Sequence, residues 1–211
     1  MPHLLQLKVT LSYTSPPVWR RLLLPDTLTF WELHFALQIA FDWTNSHLFE
    51  FRRGRYPQEE ILTMPALAGQ EAADWLPEGG RDMRTATLAE MLPDVGARIE
   101  YIYDMGDNWE HQLLVEKVEP LPPGPVPPAT CLTGRRNGLP EDIGGVPGYE
   151  MLLAALTKKR LPAEFHEFRG YDPATFDKEY VNEGLARLPA LVREFEDFMV
   201  ATGRPLAPLP A

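Results

Sequence analysis

The stretch "LLQLKVTLSYTSPPVWRRLLLPDTLTFWELHFALQIAFDWTNSHLFEF", residues 4–51, decides the fold class. Leu5, Leu7, Val9 and Leu11 alternate with Gln6, Lys8 and Thr10, the two-residue period of a strand with one face buried. Thr14–Pro17, "TSPP", breaks that strand, and "VWRRLLLP" reads as a second whose prolines sit at its start, where no ladder donor is needed. A hairpin is the economical pairing. Thr29–Glu32, "TFWE", is a capping-box pattern, with Leu28 and Leu33 at staple positions. Phe30, Leu33, Leu37 and Phe41 then recur at helical spacing, so a helix is expected to run to about Phe41 with its apolar stripe on the sheet. "DWTNS" stops it, and "HLFEFRRGRY" resumes a strand pattern with His47, Phe49 and Phe51 on one side. Strand, strand, helix, strand is a β-grasp-like opening.

Further along, "VGARIEYIYD" and "WEHQLLVEKVE" read as a later hairpin about a turn holding Asp104, Gly106 and Asp107. Its simplest register sets Tyr103 opposite Trp109, Tyr101 opposite His111 and Ile99 opposite Leu113. Residues 56–84 lack periodicity and read as a surface excursion, while Thr87–Glu90, "TLAE", caps a short helix. "EPLPPGPVPP", residues 119–128, holds six prolines and is extended and unpaired, either as a linker or as a stiff loop. The Gly and Pro density from Ala129 to Gly148 denies regular structure. A helix is expected over 148–159 with Leu152, Leu153 and Leu156 inward, another from the N-cap Asp172, and a last amphipathic one in "LVREFEDFMVA". The expectation is α+β: a mixed or antiparallel sheet with C-terminal helices packed on it, one domain over residues 1–200 and a flexible Pro-rich tail over 201–211.

With 45% hydrophobic residues over 211 positions the chain can bury its own core, and it has no apolar run of about 18 residues that would span a bilayer. The start lacks the charged and apolar regions of a signal peptide, and the single Cys131 cannot form an internal disulfide, so a cytoplasmic protein is expected. A formal charge of −10 opposes a polyphosphate partner, and the basic clusters are small: Arg20–Arg21, Arg52–Arg53–Arg55, Arg135–Arg136 and Lys158–Arg160. A protein partner is therefore expected ahead of nucleic acid.

Carboxylates and imidazoles carry what chemistry the sequence offers. Asp104, Asp107, Glu110 and His111 crowd the hairpin tip and supply oxygen and nitrogen donors for a divalent cation, although strand alternation sends Glu110 and His111 to opposite faces. His47 follows the first helix. "CLTGRRNGLPEDIGG", residues 131–145, sets Cys131 near Arg135 and Arg136, the neighbourhood that activates a thiolate, but no diagnostic Cys–His spacing is present. Cys131 with His111 and carboxylates is a further donor set for zinc, without the paired CxxC or HxxxH spacing. Glu141 and Asp142 are expected to pair with Arg135, Arg136 or Arg20, and the amides of Gly144 and Gly145 to face an anion.

"PPVWRRLLLP", "TFWELHFALQIAFDWTNSHLFEF", "YIYDMGDNWEHQLLVE", "CLTGRRNGLPEDIGGVPGYEMLL" and "YDPATFDKEYVN", in this order, resemble the plasmid pRiA4b ORF-3-like family from about Leu4 to Asn182. The residues matching that pattern include Trp19, Arg20, Trp31, His34, Trp43, His47, Tyr103, Asp104, Gly106, Asp107, Trp109, His111, Cys131, Gly134, Pro140, Glu141, Asp142, Gly144, Gly145 and Tyr149. Met105 stands where the pattern usually has Phe and Ile143 where it often has Cys, which removes one thiolate from any metal set. The resemblance implies that the proline run is an internal loop and that the protein is related to passengers of insertion elements carrying a resolvase label. No resolvase serine motif is recognisable here.

These readings converge on a binding or adaptor module whose recognition surface draws on Arg20, His47, Asp104, Asp107, Trp109, His111, Cys131, Arg135, Glu141 and Asp142. One rival is a metal-dependent hydrolase or nuclease using Asp104, Asp107, His111 and Glu141 around a divalent metal. Another is an accessory DNA-binding protein using Arg52, Arg53 and Arg55. The sequence names no substrate, partner or oligomeric state.

Overall fold

In a computed structural model, which describes residues 1–54, 60–69 and 80–209, the N-terminal alternation becomes β1 (His3–Leu11), antiparallel to β2 (Trp19–Pro25) with Leu7 opposite Leu22. Leu5, Leu7, Val9 and Leu11 are buried and Gln6, Lys8 and Thr10 are partly exposed, so the two-residue period does set which face is covered. α1 (Phe30–Phe41) starts at the expected capping box: Thr29 Oγ1 accepts from the Glu32 amide, and Glu32 accepts from the Thr29 amide at 2.8 Å. It stops where Asp42 turns left-handed at φ 61°. Nearly all of α1 is buried. One side stacks on the sheet through Phe30–Phe51 and His34–Phe49, and the other meets Phe195 through Trp31 and Phe35.

β3 (Phe49–Arg53), β4 (Glu60–Thr63) and β5 (Arg81–Asp82) follow, then a 3₁₀ turn (Met83–Thr85) and the Thr87-capped α2 (Leu88–Met91). The later hairpin is β6 (Arg98–Tyr103) and β7 (Trp109–Pro120), in the expected register of Tyr103 with Trp109, Tyr101 with His111 and Ile99 with Leu113. With β8 (Thr130–Arg135) these strands make one sheet in the order β5-β4-β3-β6-β7-β1-β2-β8, antiparallel except between β4 and β5. The α+β expectation holds, with the hairpin β6–β7 inserted between β1 and β3. β7 and β8 lie in the same sheet, so the proline run is a loop within it, except that Glu119 and Pro120, expected to be unpaired, end β7 opposite Leu4 and His3 of β1.

Two segments expected to be irregular form strands. β4 and β5 lie inside the 56–84 excursion, where Leu62 and Met83 are fully buried; positions 55–59 and 70–79 lie outside the described residues. Strands of four and two residues are too short to display a period. β8 runs through Gly134, where a Cβ would meet Phe176 at 2.7 Å and the Arg20 side chain at 2.9 Å. That glycine marks a close approach on an edge strand rather than a break.

α3 (Gly145–Leu156) begins earlier than expected and buries Tyr149, Leu152 and Ala155, with Leu153 and Leu156 only partly covered. α4 (Lys178–Ala186) is capped by Asp177, whose Oδ1 accepts from the Tyr180 amide at 2.9 Å. Asp172 instead closes a local turn by accepting from the Ala174 amide. The connection from Asp172 therefore folds as a turn before the helix. α5 (Leu188–Ala201) packs on α1, and beyond it Leu206 bridges Leu67, with Ala207 N donating to Ala66 O and Ala68 N to Pro205 O, both at 2.8 Å. Positions 210 and 211 of the expected tail lie outside the described residues. Among those described, no helix is long and apolar enough to cross a membrane.

Candidate functional site

β6 hands over to β7 in five residues, Asp104–Asn108, of which Asp104 and Asn108 take φ of 58° and 54°. Asp and Asn tolerate that left-handed region better than other residues with a Cβ. Asp104 Oδ1 accepts from the amides of Gly106 at 2.9 Å and Asp107 at 3.3 Å, and Asn108 N donates to Asp104 O at 2.6 Å. One oxygen of Asp104 thus holds the turn. The other, Oδ2, faces His47 Nδ1 at 3.6 Å.

A second loop is fastened to this tip. Trp43 Nε1 donates to Leu139 O at 2.9 Å, and Glu141 accepts from Thr44 N, from Thr44 Oγ1 at 2.6 Å and from the Tyr103 hydroxyl. Asp142, Gly144 and Gly145 then adopt φ of 57°, 90° and 65°, curling the chain onto the hairpin. Gly144 N donates to Asp107 Oδ2 at 3.2 Å, so the anion the Gly144 amide meets is the protein's own carboxylate. At Gly145 a Cβ would lie 2.3 Å from Asp107 O, and only glycine combines that approach with a positive φ.

The consequence is a convergence of His47, Asp104 and Asp142. His47 Nε2 lies 3.3 Å from Asp142 Oδ1, and one donor atom from each of the three side chains falls within 4.8 Å of the others. Nε2 is shielded from solvent yet, despite that distance, lacks the alignment of a hydrogen bond. Asp104 is buried and Asp142 exposed, so the cluster opens on one side. One imidazole nitrogen and two carboxylate oxygens suit a divalent transition metal. Metal–ligand bonds of about 2.1 Å place tetrahedral ligands about 3.4 Å apart; Asp104 faces Nδ1 and Asp142 faces Nε2, so gathering all three donors on one ion also requires the His47 ring or a carboxylate to turn.

Other titratable groups near by are held inert. Burial pushes the His111 and His34 imidazoles down to about 3. Burial, with Glu141 as acceptor, raises the Tyr103 phenol, and burial raises Tyr101. Burial also raises the Cys131 thiol against the pull of Arg20, so it is a protonated interior group rather than an activated nucleophile.

Of the residues expected at a recognition surface, Arg20, Trp109, His111 and Cys131 lie in the interior. His111 is fully buried against Phe41 and Trp43, and its Nδ1 bonds the carbonyls of Trp109 and Tyr101 at 3.0 and 3.3 Å. Asp104, Asp107 and Glu141 do gather at one end of the sheet, but His111 does not join them. Arg135 is exposed at the end of β8, its carbonyl accepting from Arg20 at 3.0 Å. Glu141 and Asp142 take Thr44, Tyr103 and His47 as partners instead of arginines. The pairing of His47 with Asp104 and Asp142 escaped the sequence reading because it joins three separate loops. Its available signals were the glycines beside Asp142 and the cap-type residues beside His47.

A helix-covered, mostly antiparallel sheet whose loops gather acidic and imidazole side chains at one end defines the class. The chain belongs to the plasmid pRiA4b ORF-3-like protein family, whose model matches residues 3–183. It is 35% identical over 191 residues to the uncharacterized protein y4hQ of Sinorhizobium fredii, covering 88% of this chain and 92% of that one. It is also similar to the crystal structure of a protein of unknown function, MM3350, from Methanosarcina mazei Go1, with a TM-score of 0.69 and 28% identity over 85% of this chain and 97% of that one.

Proposed function

We propose that this protein is a binding module whose recognition end, built from the hairpin tip and the Glu141–Gly145 loop, holds a divalent transition-metal ion through His47, Asp104 and Asp142. The observation that carries the reading is the approach of those three donors, with His47 Nε2 shielded and not hydrogen-bonded. Three protein ligands leave coordination positions open, which a carboxylate or imidazole of a partner protein can fill.

Binding is favoured over hydrolysis because the nearby bases are engaged. Glu141 accepts from Thr44 and Tyr103, and Asp107 accepts from Gly144, so neither is poised to activate a water. DNA binding is disfavoured for a parallel reason: Arg52 pairs with Glu50, Arg53 pairs with Glu60, and Arg20 is buried, while Arg55 lies outside the described residues. The insertion-element link suggested by the family resemblance serves as a place to look for the partner.

Calorimetric titration of Zn²⁺ and Mn²⁺ into metal-stripped protein tests this. One site per chain is expected, weakened roughly ten- to a hundredfold or more by His47→Ala or Asp142→Asn and left unchanged by His111→Gln. Uptake also falls in acid, because the imidazole must be deprotonated to ligate. No saturable uptake, or uptake indifferent to both ligand substitutions, contradicts the reading.

A further inference from the structure

His47, Asp104 and Asp142 come from segments far apart in the chain, and the residue immediately before each belongs to one hydrogen-bonded hub: Ser46, Tyr103 and Glu141. Ser46 N donates to the Tyr103 hydroxyl at 3.1 Å, and that hydroxyl donates its own proton to Glu141 Oε1. Through its other oxygen Glu141 accepts from Thr44 Oγ1 at 2.6 Å, and Thr44 Oγ1 lies 2.6 Å from Ser46 Oγ. One phenol and one carboxylate therefore tie the loop after α1, the end of β6 and the Glu141–Gly145 loop to one another. Removing either releases more than one loop.

The hub has a fixed backing. Tyr103 is fully buried, its ring stacked on Trp43 at 4.6 Å and met at a steep angle by the His47 ring at 5.8 Å. Asn45 N donates to Gln38 Oε1 at 2.8 Å, and Asn45 Oδ1 lies 2.9 Å from His34 Nε2, so the loop carrying His47 is also pinned to α1. These bonds fix the backbone just ahead of each proposed ligand and leave the three side chains free to turn. A site that has still to gather its donors on one ion needs both properties.

We infer that Tyr103 and Glu141 are positioning residues: through the hub the three loops seat as one unit, and cation binding is coupled to that seating. The coupling rests on the proposed cation site. A cation held by all three ligands binds the seated arrangement alone, so it stabilises that arrangement by mass action, and whatever loosens the hub weakens the cation in return.

The test follows the Trp43 indole N–H by hydrogen exchange in the full chain. It donates to Leu139 O at 2.9 Å, joining the loop after α1 to the one that carries Glu141, and bonds neither the Tyr103 hydroxyl nor Glu141 itself. In metal-free protein, Tyr103→Phe, which keeps the stacked ring, and Glu141→Ala are each expected to speed its exchange about tenfold or more. Glu141→Gln, which keeps an acceptor oxygen, is expected to stay within about threefold of the parent. Free Zn²⁺ at roughly ten times its Kd is expected to slow exchange in the parent about tenfold. Tyr103→Phe and Glu141→Ala are expected to weaken Zn²⁺ about ten- to a hundredfold, and Glu141→Gln to restore most of that loss. Indole exchange unchanged by Tyr103→Phe overturns the joint seating, and Glu141→Gln behaving like Glu141→Ala overturns the hub as its cause. A parent that binds Zn²⁺ no more tightly than Tyr103→Phe overturns the coupling and leaves the cation site standing. A parent that takes up no Zn²⁺ removes the site and the coupling together.

Discussion

Arg20 occupies a core-facing position of β2 where an aliphatic residue would ordinarily pack. Its guanidinium lies between the rings of Phe41 and Phe176, at 4.9 and 4.3 Å, and donates to the carbonyls of Ala40 at 2.6 Å and of Trp19 and Arg135 at 3.0 Å. Ala40 is in the last turn of α1, so the cation also meets the negative end of that helix. Burial lowers its pKa to about 10, which leaves it charged at neutral pH. Taking the ion out of water costs several kcal/mol, and three bonds from a charged donor return about 1.5–3 kcal/mol each, so the balance turns on geometry. Lysine cannot reproduce the fork. Arg20→Lys is therefore expected to destabilise by about 2–4 kcal/mol in urea unfolding; a change below about 0.5 kcal/mol would show the three carbonyls to be satisfied without it.

His34 and His111 give the residue scale a pH dependence with a definite sign. The unfolded chain protonates each imidazole near its ordinary value of about 6.5, while burial holds the folded rings neutral down to about 3. Below pH 6.5 or so the unfolded state binds more protons, so stability is full above that value and falls as the pH drops towards 3, by up to about 1.4 kcal/mol per unit for each ring. His111→Gln is expected to lose stability at pH 7 yet to fall less steeply than the parent between pH 6 and 4. Urea midpoints measured across that range decide it, and parallel slopes would contradict the assignment.

Among the elements, β8 is an edge strand that a helix covers in an unusual way. The Asn182 side chain of α4 accepts from Cys131 N at 2.7 Å and donates to Cys131 O at 3.1 Å, taking the place of a neighbouring strand residue. An uncovered edge is a site for pairing with another chain. Asn182→Leu, close in volume, should cost about 1–2 kcal/mol and speed hydrogen exchange of the Cys131 amide at least tenfold; unchanged exchange would show the edge to be protected otherwise. This element also marks where the sequence stops being legible. The β1–β2 hairpin, the Thr29 and Thr87 caps and the β6–β7 register were readable because each depends on residues close in the chain. β8 was not, because Gly134 is explained by Phe176 and its edge by Asn182, both supplied from far along the chain. Asp104 and Asp107 were legible as turn residues for the same local reason, whereas Glu141 reaches the tip from a distant loop. That His111 turns inward follows from strand alternation, whereas the arrival of His47 and Asp142 depends on how the Gly144–Gly145 curl seats on the hairpin.

At the scale of the whole molecule, the helices lie over one face of the sheet and the loops at one end carry the polar signature. The other face keeps a partly exposed layer in which Trp19 lies 5.7 Å from Lys8 and 5.2 Å from Arg21, and Arg21 grips Glu116. That layer accounts for Trp19 as packing, as the interior does for Arg20, Trp109, His111 and Cys131, and leaves His47, Asp104 and Asp142 as the group whose arrangement packing alone does not explain. Anomalous diffraction from crystals grown with Zn²⁺ addresses them directly. A single strong peak is expected about 2.0–2.2 Å from a nitrogen of His47 and from oxygens of Asp104 and Asp142. Contradiction would take the form of no peak at that position, with zinc bound elsewhere and the three side chains still in contact only with one another.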